Sequence, residues 1–290
     1  MPSGQYSLVN GVVRLSNWTL NDTKTSQTYV ASNTLGGTAR GGGIRDWNGT
    51  MSGQGGTPPV MPNQEFDFEG YTYPDNGTLG GDGTTYVGEA IVQQVTVVWD
   101  WVNNALLAWT ANFVGKPGLT IVKQAPTLDA SAVANEFACG SFAAYQKFGE
   151  ATDIEIPKLT TGTLTITANL SQSANSSTRS GGDCFIDRDP GSIDWTFSAG
   201  QEDYERGVDG YPDLGDDVTL KLFTKPDLSE WWQLRWGRQE DYTGLSAEAG
   251  SNTPIARTIN LAMNAATTDG AGHIYQPASA GAGTPWWGVA

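Results

Sequence analysis

The chain has 290 residues and a formal net charge of −15 at pH 7, from 31 acidic and 16 basic residues. Such an acidic chain is a poor candidate for gripping a nucleic-acid backbone, because neutralising phosphates requires clustered Lys and Arg. Glycine is abundant, with 37 residues, whereas only 16% of the residues are charged. Together with many Thr, Asn and Trp residues, this composition favours short strands and numerous turns.

The first residues of the chain lack the basic and apolar regions of a signal peptide. No apolar run reaches the ~20 residues that cross a bilayer. We therefore expect a protein that is made and folded in a cytoplasm, without a membrane partner. Cys139 and Cys184 are the two cysteines, too few for a disulfide scaffold. They are predicted to be reduced and mostly buried, although the sequence does not decide whether they pair.

Two segments contain the dipeptide Asp-Trp in similar surroundings. Asp46-Trp47 lies within residues 43–54, and Asp194-Trp195 lies within residues 191–201, so the tryptophans are 195 − 47 = 148 positions apart. This spacing exceeds the roughly 20–50 residues of a solenoid repeat. It suits two copies of one small domain, with Trp47 and Trp195 at equivalent buried positions.

The first half of the chain is predicted to form strands separated by turns. Strands are expected at residues 12–20, 28–31, the first Asp-Trp segment, 65–71, 91–101 and 106–114. The short, Asn-rich connection at 102–105 indicates a hairpin, and residues 74–84 indicate a polar loop. The Gly- and Pro-rich segment 35–64 is predicted to be a mobile loop that a neighbouring subunit orders. Within it, Gly41, Gly42 and Gly43 form a mobile turn or assembly loop, since no Lys-Ser/Thr completes a phosphate loop.

The segment 65–71 alternates cleanly between acidic and aromatic residues. Because successive strand residues face opposite sides, Phe66 and Phe68 are predicted to point into the domain. Glu65, Asp67 and Glu69 then share the other face, which is either a lumen or an outer solvated surface.

The second half repeats this order of elements. Strands are predicted at residues 119–122, 163–168, the second Asp-Trp segment, 218–222, 230–236 and 258–263. Residues 128–148 permit a weak helix, 154–159 form an extended bridge, and 269–290 form a tail that orders only on assembly. In order along the chain, 218–222 corresponds to the Phe66–Phe68 strand, and 230–236 corresponds to residues 89–99. The sequence thus predicts an all-β fold, with at most one or two short helices, made of two similar β-sandwich or barrel domains at 1–118 and 160–290, joined by residues 119–159.

Few residues suggest chemistry. His273 is the only histidine and lies in the Gly/Ala-rich tail, which disfavours a Ser-His-Asp triad or a His-based metal site. The acidic loop 202–217 is interpreted as a solvated surface, with calcium binding left open. Trp231-Trp232 and Trp286-Trp287 suit a subunit interface better than a sugar platform. No catalytic, cofactor or metal site is predicted, and the protein is expected not to be an enzyme.

Three features of the chain stand out: the paired Asp-Trp strands, each followed by Gly-Gln, the Phe66–Tyr71 strand, and a long hairpin at 92–113 that ends in Gly115-Lys116-Pro117-Gly118. In these three features the chain resembles the tail tube proteins of long-tailed bacteriophages. The resemblance covers nearly the whole chain and concerns its Gly/Thr-rich, acidic composition and the order of its strands. It implies a virion structural protein, assembled in the host cytoplasm, in which subunits form stacked rings such as trimers with pseudo-sixfold symmetry. It also implies an acidic lumen that conducts DNA without binding it, other virion proteins as partners, and a long loop, 36–64 or 74–88, that reaches the next ring.

Other functions remain open at this point. A capsid decoration or fibre component would have a similar composition. A Trp-rich carbohydrate-binding module is the next alternative, and a glycoside hydrolase with a carboxylate pair is the third.

Overall fold

The computed structural model describes residues 6–9, 16–30, 37–54, 58, 60–71, 83–103, 105–124, 143–147, 152–174, 178–180, 183–202, 214–223, 231–246, 256–264, 274–276 and 284–285. Within these ranges nearly all residues lie in strands, and there is no α-helix. The predicted all-β fold class is therefore confirmed.

The strands of the first half follow the predicted order. They are β1 (Tyr6–Val9), β2 (Asn17–Lys24), β3 (Gln27–Tyr29), β4 (Ala39–Gly41), β5 (Ile44–Gln54), β6 (Glu65–Tyr71), β7 (Gly83–Asp100), β8 (Ala108–Gly115) and β9 (Thr120–Gln124). The turn between β7 and β8 is closed by Asp100, whose carboxylate accepts hydrogen bonds from the backbone and side-chain nitrogens of Asn103. These bonds lower the pKa of Asp100.

The second half has a matching series. Its strands are β10 (Ala143–Lys147), β11 (Ile154–Ile156), β12 (Leu159–Ser173), β13 (Arg179–Ser180), β14 (Asp183–Phe185), β15 (Asp187–Glu202), β16 (Asp217–Phe223), β17 (Trp231–Ser246), β18 (Ala256–Met263), β19 (Ile274–Gln276) and β20 (Thr284–Pro285). The strands β12, β15 and β17 are long enough to pair with different partners along their length.

The strand pairing runs in the same order in both halves. In the first half, adjacent strands pair antiparallel in the order β2-β5-β8-β7-β6-β1, and β9 pairs with the start of β7. In the second half the order is β12-β15-β18-β17-β16-β10, and β19 pairs with the start of β17. We call these groups the first and second strand sets.

The two sets also share local irregularities. A bulge interrupts the β7–β8 register between Val92 and Gln94, and another interrupts the β17–β18 register between Gln239 and Asp241. Because one extra residue bends and twists a strand, the two sets bend at matching points. A residue with positive φ precedes β6 and β16 alike: Asn63 at 67° and Gly215 at 85°. The next residue in each case accepts a matching hydrogen bond: the Gln64 carbonyl from the Val92 amide, and the Asp216 carbonyl from the Gln239 amide.

Alternating apolar residues form one continuous core. Trp47 and Trp195 are each 1% exposed, as the repeat predicts. In β6 the side chains of Phe66 and Phe68 are buried and Glu65 and Asp67 are exposed, so the predicted alternation is confirmed. Burial of such large aromatic side chains contributes much of the stability of a β fold.

Four local predictions are wrong. The predicted loop 35–64 contains β4 and β5, and the proposed loop 74–88 overlaps the start of β7. The weak helix at 128–148 fails at β10, where Ala143, Ala144 and Tyr145 are buried against β16; residues 128–142 lie outside the described part. In the predicted tail, Ile274 and Tyr275 pair with β17, so part of it already joins the sheet.

The domain boundaries remain predictions. Strand β9 joins the first set and β10 joins the second, so the segment 119–159 contributes to both. Pairing between β7 and β12 connects the two sets directly.

Candidate functional site

The place where the two strand sets meet is a continuous β junction. Residues 94–100 of β7 pair antiparallel with residues 161–167 of β12, on the edge of β7 that β6 occupies nearer its start. Side chains reinforce the pairing: the Gln94 amide donates to Thr167 Oγ1 at 3.2 Å and accepts from Asn112 at 2.9 Å. Backbone pairing over seven residues makes the junction rigid rather than a loose linker.

A partly buried ion pair between β5 and β15 also connects the two strand sets. Arg188 of β15 is 5% exposed. Its two terminal nitrogens donate to the two carboxylate oxygens of Asp46 at 2.8 and 2.9 Å, and Nη1 also donates to the Gly115 carbonyl at 2.9 Å. The bidentate geometry is the strong form of an Arg–carboxylate pair. Thus the acidic residue of the first Asp-Trp segment holds a basic residue from the second strand set.

Further contacts surround this pair. The Asn63 side chain donates to the Gly191 carbonyl at 2.6 Å and accepts from the Gly191 amide at 3.1 Å. Strand β14 pairs in parallel with the start of β5, where the Arg45 guanidinium lies 5.4 Å from the centre of the Phe185 ring. Arg45 is in turn bound by Asp22 of β2 through two nitrogen–oxygen contacts of 2.9 and 2.5 Å.

The tryptophan of each Asp-Trp segment lies against a glycine. A Cβ on Gly115 would come within 2.0 Å of the Trp47 ring, and a Cβ on Gly237 would come within 2.5 Å of the Trp195 ring. Trp47 Nε1 donates to the Lys116 carbonyl at 3.0 Å. Trp195 Nε1 is buried without a hydrogen-bond partner. Both rings are therefore packing residues, and only the first has its polar atom satisfied.

The acidic face of β6 is partly neutralised. Lys116 Nζ lies 2.6 Å from Glu65 and 3.9 Å from Glu89. Burial by itself would lower the pKa of Lys116, but the hydrogen bond and charge of Glu65, with Glu89 and Asp187, raise it above its usual value. Glu69 accepts a short hydrogen bond from the Tyr71 hydroxyl. Asp67 is the exposed member without a described partner, so the triplet presents less negative charge than its sequence suggests.

The other candidate residues give little support for chemistry. Trp232 is fully buried, and the other tryptophans with described side chains are buried or half-buried. The side chain of Trp231, residues 203–213, His273 and Trp286-Trp287 lie outside the described part. Among the residues described, no group of three or more His, Cys, Asp or Glu forms a metal site.

The two cysteines and the glycine turn are placed only in part. Cys184 is half-buried, with its Sγ 3.6 Å from Thr178 Oγ1, while Cys139 lies outside the described part. Gly41 ends β4, and Gly42 and Gly43 connect it to β5, so the predicted assembly turn is a connection between two strands. No described helix is long and apolar enough to span a bilayer.

The junction residues Asp46 and Arg188 had a signal in the sequence that the Asp-Trp comparison left unused. Each segment reads Arg-x-x-Gly-x-x-Asp-Trp, at residues 40–47 and 188–195. In the strand registers, Arg40 faces Thr28 on β3, and Arg188 faces Gln172 on β12. The Arg and the Asp thus occupy matching positions in both strand sets.

No protein-family model matches the chain, and no curated protein sequence matches it significantly. Evidence about function therefore comes from the junction and the repeated pairing order.

Proposed function

We propose that the chain is a self-assembling structural protein of a bacteriophage virion, most like a tail tube subunit that forms stacked rings. The observation that carries this proposal is the in-chain junction, at which one strand set docks on a second set with the same pairing order. A chain that already joins two such sets edge to edge has the geometry to repeat that contact between molecules. Repetition of a head-to-tail contact gives a ring when the rotation closes.

The character of the core also favours assembly over recognition of a small ligand. The described tryptophans serve packing, which weakens the carbohydrate-binding alternative. Glu65, Asp67 and the half-buried Glu69 present carboxylates on one face of β6. Such a face suits the wall of a channel for DNA, because carboxylates repel phosphates whereas clustered Lys and Arg would hold them.

Negative-stain electron microscopy and sedimentation velocity on the purified full-length chain test the proposal. We expect rings or tubes of uniform diameter whose abundance increases with protein concentration. A chain that stays monomeric at millimolar concentration, or rings with a strongly basic lumen, would rule out the tube function. Uniform particles without a channel would favour a decoration or fibre component instead.

A further inference from the structure

The matching strands β7 and β17 differ in what pairs with the last part of each strand. In the first set, residues 94–100 of β7 continue past β6 and meet β12. In the second set, β17 continues past its pairing with β16, which ends at Arg238, to Ser246. On that edge the Gln239 backbone still bonds to Gly215 and Asp216, and among the described residues no strand pairs with the edge beyond Gln239. The second set therefore has an open edge at the place where the first set has its junction.

The strand that would match this open edge is also present. In the register, β2 occupies the position of β12: Asp22 faces Trp47, and Ile166 faces Trp195. Strand β12 pairs with β15 on one side and β7 on the other, whereas β2 pairs only with β5 within the described part of the chain. Most of β2 is exposed. An exposed edge of this kind readily pairs with another chain.

The two strand sets also carry complementary charges at positions that match the Asp46–Arg188 ion pair. In the junction, Asp46 of the first set binds Arg188 of the second. The residues at matching positions are Asp194 and Arg40, and both are exposed. Within the described part of the chain, the Asp194 carboxylate accepts a hydrogen bond from its own neighbour, the Trp195 amide, and Arg40 forms no ion pair. Each chain thus carries a second acid and base at the positions of the ion pair, with Arg40 in the first half and Asp194 in the second set.

We propose that a second copy of this chain docks head to tail, so that β2 of one copy extends the open edge of β17 in the other and Arg40 pairs with Asp194 across the contact. The β7–β12 register within the chain predicts the β17–β2 register between copies. Thr96 of β7, which pairs with Thr165 of β12, matches Thr243 of β17, because Thr96 faces Thr110 as Thr243 faces Thr258. Thr165 matches Asn21 of β2, since Thr165 faces Thr196 and Asn21 faces Asn48. Asn21 is thereby placed opposite Thr243 of the neighbouring copy.

One junction contact has no counterpart between copies. Asn63 bonds to Gly191 within the chain, but Gly215 occupies the matching position before β16 and has no side chain. The contact between copies therefore has fewer hydrogen bonds than the junction it repeats. Association that depends on concentration is the expected consequence.

Charge exchange tests this interface, which rests on the proposed self-assembly. Arg40→Asp alone and Asp194→Arg alone are each expected to raise the concentration needed for assembly about ten-fold or more. The double variant, Arg40→Asp with Asp194→Arg, should restore assembly towards the wild-type level. Lys123→Glu makes the same change in net charge as Arg40→Asp, at an exposed position on β9, and should have little effect. Sedimentation velocity measures assembly, and circular dichroism checks that each variant is folded.

Disulfide trapping tests the register independently of charge. In a background with Cys139→Ser and Cys184→Ser, chains with Asn21→Cys are mixed with chains carrying Thr243→Cys and then oxidised. Directly opposed strand residues lie within disulfide reach, so covalent dimers should form. Lys123→Cys, at an exposed position on β9, which takes no part in the proposed contact, is the control and should give few dimers.

The outcomes separate the interface from the function. If the wild-type chain assembles but the Arg40 and Asp194 variants assemble equally well, or trapping at Asn21 does not exceed the control, this interface is wrong and the proposed function survives. A wild-type chain that never assembles overturns both.

Discussion

The two strand sets have the same pairing order but different cores. Around Trp47 the neighbours are aromatic, with ring centres 6.0 Å from Phe68 and 6.2 Å from Phe113. At the matching registers around Trp195 the second set has Leu220 and Leu261, both buried. Strand order therefore does not require one particular set of core side chains. Both sets keep the tryptophan in contact with a glycine, but the glycines lie on different strands, Gly115 at the end of β8 and Gly237 within β17.

Truncating either tryptophan should have the largest effect. Trp47→Ala and Trp195→Ala each remove a side chain that is 1% exposed, and each should lower the free energy of unfolding by about 3–5 kcal/mol. Chemical denaturation monitored by circular dichroism measures this loss. A value below about 1 kcal/mol for one variant alone would contradict equal packing roles for the two rings.

Breaking the junction ion pair should come next. Arg188→Met leaves the Asp46 carboxylate, whose side chain is 27% exposed, and the Gly115 carbonyl without their donors, and it should cost about 1–3 kcal/mol of stability. Arg45→Met is the matched control, because the Arg45 side chain is 22% exposed whereas that of Arg188 is 6% exposed, and loss of a more exposed pair costs about 0–1 kcal/mol. Equal losses in thermal or denaturant unfolding would show that the Arg188 contact does not hold the two sets together.

Replacing each tryptophan by phenylalanine should separate the two sets. Trp47→Phe loses the indole donor to the Lys116 carbonyl, whereas Trp195 Nε1 has no partner to lose. Loss of a hydrogen bond to a partly buried carbonyl costs about 1 kcal/mol, so Trp47→Phe should be more destabilising than Trp195→Phe by about that amount. The opposite order in equilibrium unfolding would mean that ring volume, not the hydrogen bond, distinguishes the two sites.

The smallest effect should be a dependence on alkaline pH in the first set. The pKa of Lys116 is raised in the folded chain. The pair with Glu65 therefore stabilises fully below the unfolded value of about 10.4 and is lost as pH rises through the folded value. Between pH 9 and pH 12, the wild-type chain should lose slightly more stability than Glu65→Gln. If the free energies of unfolding of the two proteins change equally with pH across this range, the Lys116–Glu65 pair does not contribute to the pH dependence.

The sequence predicted some parts of this comparison well. Alternation in β6 identified Phe66 and Phe68 as buried, and the repeated dipeptide identified Trp47 and Trp195. The order of elements also predicted that residues 218–222 and 230–236 take the places of β6 and β7. These predictions succeeded because side-chain periodicity and burial are local properties of a strand.

Predictions that depended on glycine or alanine content were less successful. The Gly-rich segment 35–64 was expected to be a loop, yet Gly49 lies inside β5, where a Cβ would come within 2.4 Å of the Phe113 ring. Glycine in a strand can mark close packing as well as flexibility. In β10, Ala143 and Ala144 have the highest intrinsic helix propensity of any residue type, but pairing with β16 outweighs it.

By itself the sequence determined the all-β class, the inward faces of the strands and the repeat of the Asp-Trp segment, because each follows from residues close together in the chain. Only the tertiary structure decided that β7 pairs with β12 and that Arg188 binds Asp46 across 142 positions. It also decided which edges have no described partner, since an edge depends on which strands lie beside it. Contacts between distant residues depend on how the whole chain packs, and local periodicity carries no information about that packing.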